Sequence, residues 1–540
     1  MEGLMMDYPL TLQHAFQRAV RIFYKKEIVT QLDSGLYRYT YRDWGKRVLQ
    51  LANALHKQGV KEGDRIATFA WNTYRHLELY FAIPCLGAVL HTLNIRLFAD
   101  QLTYIINNAE DSIIFVDGDL VPILEGLADH LPTVKLYVIM GDAPNATGKL
   151  QPSVDYETFI GDQPETFEWP QINENAAAAM CYTSGTTGNP KGVVYSHRSI
   201  FLHSMGVGLA DGTALSEQDT VLPVVPMFHA NAWGFPHAGV MMGAKLVFPG
   251  RYMDPGRILE LMSDERVTVA AGVPTIWIGM LNALEKEPVD LSSLRAIYCG
   301  GSAVPRSLIE GLWNKKINIV HAWGMTETSP LASLSKLRSY QLDLPLEKQF
   351  DIKAKQGTVL PCVDFRVMNI ETGKEVPWDG KSYGELQVRG PWIARTYYMD
   401  EAANEKFVDG WLRTGDVAVV DEDGIIQLVD RTKDLVKSGG EWISSVELEG
   451  LIMGHPKVLE AAVIGVPHPK WDERPVACVV PKPDYADSIT KEEIIEYLRP
   501  KVAKWWLPDD VIFVDAIPKT SVGKFDKKVL RSKYAMHSVS

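Results

Sequence analysis

The stretch Tyr182-Thr-Ser-Gly-Thr-Thr-Gly-Asn-Pro-Lys-Gly192 gathers the chemistry of an anion site into eleven positions. It lies between two apolar runs, AAAAMC and VVYSH, and reads as a tight loop between buried elements. Gly185, Gly188 and Gly192 let the backbone approach a ligand closely, and the hydroxyls of Thr183, Ser184, Thr186 and Thr187 can cradle an anion. Lys191 adds charge to hold phosphate oxygens. The G-x-x-x-x-G-K-[ST] spacing does not occur, which excludes a Walker A loop. A second cluster, HAWGMTETSP (321–330), offers the flat face of Trp323 to a purine, the hydroxyl of Thr326, and at Glu327 a hard oxygen for Mg²⁺. A third, Asp409-Gly-Trp-Leu-Arg-Thr-Gly-Asp416, ends on a carboxylate able to accept both hydroxyls of a ribose. A fourth, Pro518-Lys-Thr-Ser-Val-Gly-Lys524-Phe, sets a lysine on a glycine-containing loop ahead of Lys527, Lys528 and Arg531. Taken one at a time, each has a bland reading: a surface loop, a core aromatic, a strand-end turn, a solvated charge run.

The elements that must position these groups alternate through the first 430 residues. Short β-branched runs (65–70, 112–117, 135–140, 245–250) read as buried strands, and the stretches 47–59 and 255–265 carry helical periodicity. Such alternation predicts an α/β fold: a large N-terminal unit of two parallel-type sheets covered by helices. From about Gly357 to Val429, short strands with turn signals predict a small β-barrel or sheet subdomain. After 430–440 a helix at 445–453, strands at 461–467 and 474–480, a helix at 491–502 and a strand at 510–515 predict a small α+β unit. The expected division is 1–430, a charged hinge at 431–433, and a C-terminal unit at 434–540.

Composition narrows the class without naming a chemistry. The chain has 540 residues, 46% of them hydrophobic and 23% charged, which excludes wholesale disorder. Its 55 basic and 67 acidic residues give a net charge of −12, a poor match to nucleic-acid binding. Cys85, Cys181, Cys299, Cys362 and Cys478 are odd in number and widely spaced, unlike a disulfide framework or a zinc site. The N-terminus lacks the pattern of a signal peptide, and the most apolar stretch, 235–248, is interrupted by Pro236, His237 and Lys245. A cytoplasmic protein with no integral membrane contact is expected.

Together, in order and spacing, the four clusters resemble the adenylate-forming superfamily of acyl-CoA synthetases, adenylation domains and firefly luciferase. Gly384-Glu385-Leu386, Asp430-Arg431 with Lys433, and SGGE at 438–441 extend the resemblance over about residues 10–535. PVVPMFHANAW (223–233) and KSGGEWISSVELE (437–449) are similar to the text of bacterial medium- and long-chain fatty acyl-CoA ligases. The resemblance implies conversion of a carboxylic acid and MgATP to an acyl-adenylate and pyrophosphate, then transfer of the acyl group to coenzyme A. It implies that Thr183, Ser184, Gly185, Thr186, Thr187, Gly188 and Lys191 hold the β- and γ-phosphates. Thr326 then contacts the α-phosphate, and Glu327 with Thr183 serves Mg²⁺. Asp416 and Arg431 hold the ribose, while Gly301, Ser302, Trp323 and Gly324 flank adenine. Most relatives have Tyr at the position of Trp323; stacking survives that change, whereas a phenol hydrogen bond does not.

By the same resemblance, Lys524 bridges carboxylate and α-phosphate during adenylation. The C-terminal unit then rotates about Lys433 and brings Ser438, Gly439, Gly440, Glu441 and Trp442 up to form the channel for coenzyme A. The acid pocket is expected around His229, a catalytic candidate that orients the carboxylate or else a satisfied loop histidine, with Trp233 as floor or gate and Gly234, Gly272 and Ala303 leaving space beside it. No acidic residue stands there to pair an ammonium, so an uncharged tail is expected. The rival substrate is a short functionalised acid such as 3-methylthiopropanoate; a carrier-loading or luciferase-like enzyme and a non-catalytic binder are more distant readings. Related ligases are often homodimers, which makes a homodimer an expectation by analogy.

Overall fold

The computed structural model describes residues 1, 3–143, 146–183, 189–400, 405–438, 441–519 and 525–534. Among these residues four sheets organise the chain. In the seven-stranded sheet, six strands from Ser153–Asp155 to Ala177–Tyr182 run parallel, and Gly192–Ser196 closes one edge antiparallel. The nine-stranded sheet has a parallel centre that includes Lys245–Phe248, Thr220–Pro223, Val269–Gly272, Ala296–Cys299 and Ile319–Gly324. These central strands are short and buried on both faces, so each reads as a continuous apolar run. The helix Tyr74–Cys85 is buried on nearly every side, as a helix packed within the core must be.

The other two sheets carry the C-terminal third. Strands Asp364–Met368, Tyr383–Arg389, Phe407–Val408, Trp411–Val420 and Ile426–Arg431 form an antiparallel five-stranded sheet. This is the small sheet expected between 357 and 429. Beyond it, Val458–His468 and Asp472–Pro481 pair antiparallel, Asp510–Phe513 adds in parallel, and the hairpin 436–438/441–443 completes the last sheet. Leu448 and Ile452 of the helix Ser445–Met453, with Ile494 and Leu498 of Lys491–Leu498, pack on Val463 and Val479 as a separate core.

The differences from the sequence reading have local causes. The helix expected at 47–59 begins at Tyr41, because Thr40 and Asp43 form a capping box upstream of the apolar stripe. The helix expected to reach 502 stops at Leu498 with Arg499 as its cap, since Pro500 has no N–H with which to continue the ladder. No helix of the described residues is long and apolar enough to cross a membrane.

Candidate active site

A cavity of about 190 Å³ opens at the carboxyl ends of the parallel strands, where open α/β sheets place their ligands. Its walls come from chain that follows 177–182, 220–223 and 296–299, from the end of 319–324, and from the five-stranded sheet.

One wall is a closed polar circuit. Trp323 is buried, and its indole Nε1 donates to Asp416 Oδ2 at 3.0 Å. The other carboxylate oxygen of Asp416 lies 2.9 Å from Arg431 Nε. Strand register alone sets this pair opposite each other, since Asp416 faces Arg431 across the antiparallel ladder. The Asp416 amide donates to Thr414 Oγ1 at 3.1 Å, and Thr414 in turn donates to Leu386 O at 2.7 Å. A carboxylate only 2% exposed is thereby held with its charge compensated. The indole N–H restores a polar role that stacking alone left out of the reading of Trp323.

The loop between Thr183 and Lys191 is pinned at its base. The Thr183 amide donates to Lys191 O at 2.9 Å and the Lys191 amide to Thr183 Oγ1 at 3.1 Å. Lys191 Nζ stands 3.3 Å from Asp400 and 5.1 Å from the ring centre of Tyr397. The Tyr397 hydroxyl donates to Glu327 Oε1; burial and the Glu327 charge both raise its pKa, so it stays protonated. Tyr195 donates to Thr326 O at 2.7 Å and fixes the turn that carries Glu327. Tyr195, Tyr397 and Asp400 were not legible as site residues: Tyr397 reaches Glu327 from 70 positions away. Ser184, Gly185, Thr186, Thr187 and Gly188 lie outside the described residues, as do Gly439, Gly440, Lys524 and the side chain of Glu441.

The opposite wall is made by unusual backbone. Ala230, Asn231, Ala232, Trp233 and Gly234 have φ of 43°, 51°, 49°, 56° and 76°, a turn of left-handed helix. Each non-glycine residue there costs about 1–2 kcal/mol, so surrounding contacts must hold the turn. Trp233 lines the main cavity and a second one of about 80 Å³, as do His229 and Gly301. Its indole rests on the strand end at Gly300, where a Cβ would lie 3.3 Å from the ring and 2.5 Å from Ala322 O. Phe235, Tyr298 and Leu331 add apolar wall that motif reasoning missed, and the Tyr298 hydroxyl donates to Thr213 O at 3.1 Å.

Gly234 and Gly272 serve close packing. A Cβ would sit 2.6 Å from the His203 ring in the first case and 2.8 Å from Trp277 in the second. Neither lines the two cavities, nor does the exposed Ala303, whereas Ser302 lines the second cavity and Gly324 the first.

Next to the five-stranded sheet, Lys433 occupies a turn in which the Asp434 amide donates to Arg431 O at 2.8 Å and the Thr432 amide to Gly415 O at 3.0 Å. Asp430 accepts from the amide and the hydroxyl of Ser445, both at 2.6 Å, tying the sheet to the helix beyond the turn. Ser438 Oγ accepts from Arg474 at 2.9 Å, and Lys437 Nζ lies 5.8 Å from the ring centre of Trp442.

The sequence pattern of AMP-binding enzymes matches residues 16–398, and that of their C-terminal domain matches 447–524. A long-chain-fatty-acid–CoA ligase from Thermus thermophilus is 47% identical over 98% of this chain and 96% of its own. A medium-chain-fatty-acid–CoA ligase from Ectopseudomonas oleovorans is 42% identical over 99% and 98%. A 3-methylmercaptopropionyl-CoA ligase from Ruegeria lacuscaerulensis is 43% identical over 99% of each. Among solved structures, an anthranilate CoA ligase in complex with anthranoyl-AMP superposes with a TM-score of 0.85 at 25% identity, covering 98% of this chain and 99% of that one.

Proposed function

Because the chain belongs to the AMP-binding enzymes of the adenylate-forming superfamily, we propose that it is an ATP-dependent fatty acid–CoA ligase for medium- to long-chain acids. The observation that carries this reading is the mixed lining of one cavity: Lys191 and Arg431, each paired to a carboxylate, share it with Trp233, Phe235, Tyr298 and Leu331. A nucleotide phosphate chain suits the first set and an uncharged acyl tail the second.

In the first half-reaction an oxygen of the carboxylate attacks the α-phosphorus of ATP, the bond to the bridging oxygen breaks, and pyrophosphate leaves. Lys191 and the 183–188 loop hold the outgoing phosphates, Thr326 the α-phosphate, and Asp416 the ribose, with the Trp323 face and Gly301 beside adenine. Glu327 suits Mg²⁺: it is one buried hard-oxygen donor, and this ion commonly takes one or two carboxylates alongside substrate phosphates. Bound there, the ion would neutralise charge on the phosphates. Lys524 then bridges the two reacting anions.

In the second half-reaction the thiol of coenzyme A attacks the acyl carbon, the thiol proton is lost, and AMP leaves. We assign residues 1–430 to the adenylating unit, 431–433 to a hinge about Lys433, and 434–540 to a lid whose 438–442 segment forms the thiol channel in the rotated state. Lys524→Ala is expected to stop pyrophosphate exchange and to leave thioester formation from supplied acyl-adenylate largely intact.

The second reading is a ligase for a short functionalised acid, favoured by the 43% identity to the methylmercaptopropionyl ligase. A panel of acids from three to eighteen carbons, read by coenzyme A-dependent AMP release, separates the two. Activity peaking below six carbons would overturn the fatty-acid reading.

A further inference from the structure

The left-handed turn at 230–234 needs an anchor, and the groups that meet it are buried and polar. Cys181 lies on the strand Ala177–Tyr182, two residues before Thr183 and its phosphate loop. Its thiol donates to Asn231 Oδ1 at 3.0 Å, and Asn231 is 4% exposed. Thr92 Oγ1 lies 3.3 Å from the same sulfur and donates to Phe228 O at 3.4 Å. Upstream, Asn72 accepts from the Met227 amide at 2.7 Å and donates to Pro223 O and Val225 O, and Tyr80 donates to Met227 O. The chain from 223 to 231 is thus fastened at intervals to the strands and helix behind it, and Cys181, with Tyr80 also reaching the Asn231 side chain, supplies a fastening inside the strained turn itself. Burial pushes the Cys181 thiol up to about 11, so it remains a hydrogen-bond donor at neutral pH.

We infer that Cys181 is a positioning residue for acid recognition: its hydrogen bond to Asn231 holds the left-handed turn, and through it Trp233, as the wall between the two cavities. Without the bond, the turn can relax toward ordinary backbone, and the indole leaves its seat on Gly300. The acid site would change while the Trp323–Asp416–Arg431 circuit, built on other strands, would not. The inference rests on the reading of the Trp233 side as the acid site.

The test compares Cys181→Ala, which removes the donor, with Cys181→Ser, which keeps one of similar size, and with Asn231→Gly, which removes the acceptor and tolerates positive φ. Steady-state KM is measured for ATP and for each acid of the panel. Cys181→Ala and Asn231→Gly should each raise KM for the preferred acid by roughly tenfold and alter the ranking of chain lengths. KM for ATP should stay within about twofold, and Cys181→Ser should recover most of the loss. The double variant should lose less than the product of the singles, since both remove the same Cys181–Asn231 bond. Losses that multiply, a serine as defective as alanine, parallel rises in both KM values, or no change would each overturn the inference. If Cys181→Ala does not fold, Asn231→Gly decides by the same readouts. Wild-type turnover on the panel tests the ligase reading separately, because the variants are read only as ratios to wild type.

Discussion

Two tryptophans face the same cavity and are held there by different means. Trp323 gives its indole N–H to Asp416, which Arg431 neutralises; all three stand on strands, and register sets Asp416 opposite Arg431. Trp233 stands on a turn with five consecutive positive φ values, kept in place by a thiol, neighbouring glycines and a histidine ring. The first arrangement resists change because each partner satisfies another and none can move alone. The second stores strain, so modest substitutions can release it. On the proposed function, ligand chemistry accords with that division. A nucleotide is the same in every turnover and rewards a rigid site, whereas acid preference is adjusted by reshaping one wall.

The largest expected effect breaks the rigid side. Asp416→Asn removes the charge opposing Arg431 and leaves the buried Asp416 position without the ionic pair that compensates it. We expect kcat/KM for ATP to fall on the order of 100-fold, about 2–4 kcal/mol, with KM for the acid little changed. Initial rates of pyrophosphate release at varied ATP measure it; an equal loss on the acid axis would remove the distinction between the two walls. Trp323→Phe is milder, keeping the aromatic face and losing the N–H. About tenfold in KM for ATP is expected, the size of one hydrogen bond to a charged group.

The two sides also differed in how legible they were. Lys191, Glu327 and Arg431, which line the main cavity, and Asp416, which pairs with Arg431, were readable because each stands in a short motif. Trp323 was half readable: its ring was evident, but its N–H partner lies 93 residues away. The sheets were readable because parallel buried strands are written as apolar runs, while helix ends were missed where a capping box or a proline outweighed periodicity. The Trp233 wall was not readable. Ala-Asn-Ala-Trp does not signal left-handed backbone, and Gly234 and Gly272 looked like empty space until His203 and Trp277 were found against them.

A smaller effect sharpens the flexible side. Trp233→Ala opens the partition between the two cavities, both of which the indole lines. The chain-length optimum should move toward longer or bulkier acids. On the wild-type acid, kcat/KM should fall by about 3–10-fold, the worth of one large apolar contact, with KM for ATP within about twofold. An unaltered acid profile would demote Trp233 to core packing.

The smallest effect concerns pH, and it again falls behind Trp233. His203 packs on Gly234 and accepts from the Leu331 amide at 3.1 Å, so its Nε2 is unprotonated. The ring centre of His237, on the helix that follows the turn, lies 5.1 Å from that of Tyr80, and its Nε2 is buried with no hydrogen-bond partner among the described residues. Burial pushes both down to about 3, and His76, His197 and His321 down to about 4, from an ordinary value of 6.5. A group depressed in the folded state contributes stability that is complete above its unfolded pKa and lost as pH falls toward the folded one. For these histidines the window runs from 6.5 down to about 3–4, at about 1.4 kcal/mol per pH unit each. Asp117 and Glu449, pushed up to about 7 by burial, act in the opposite sense as pH falls. Burial raises Glu78, Asp111, Asp430 and Glu447 in the same sense, so the histidine contribution has to be isolated by substitution. His237→Phe isolates one contribution, because phenylalanine fills the same apolar site and cannot be protonated. Urea midpoints from pH 7 to 5 should fall less steeply in the variant, by about 1.4 kcal/mol per pH unit below 6.5. An unchanged slope would mean that His237 is not held neutral, and the contrast between a charge-paired wall and a neutral, strained one would lose its pH signature.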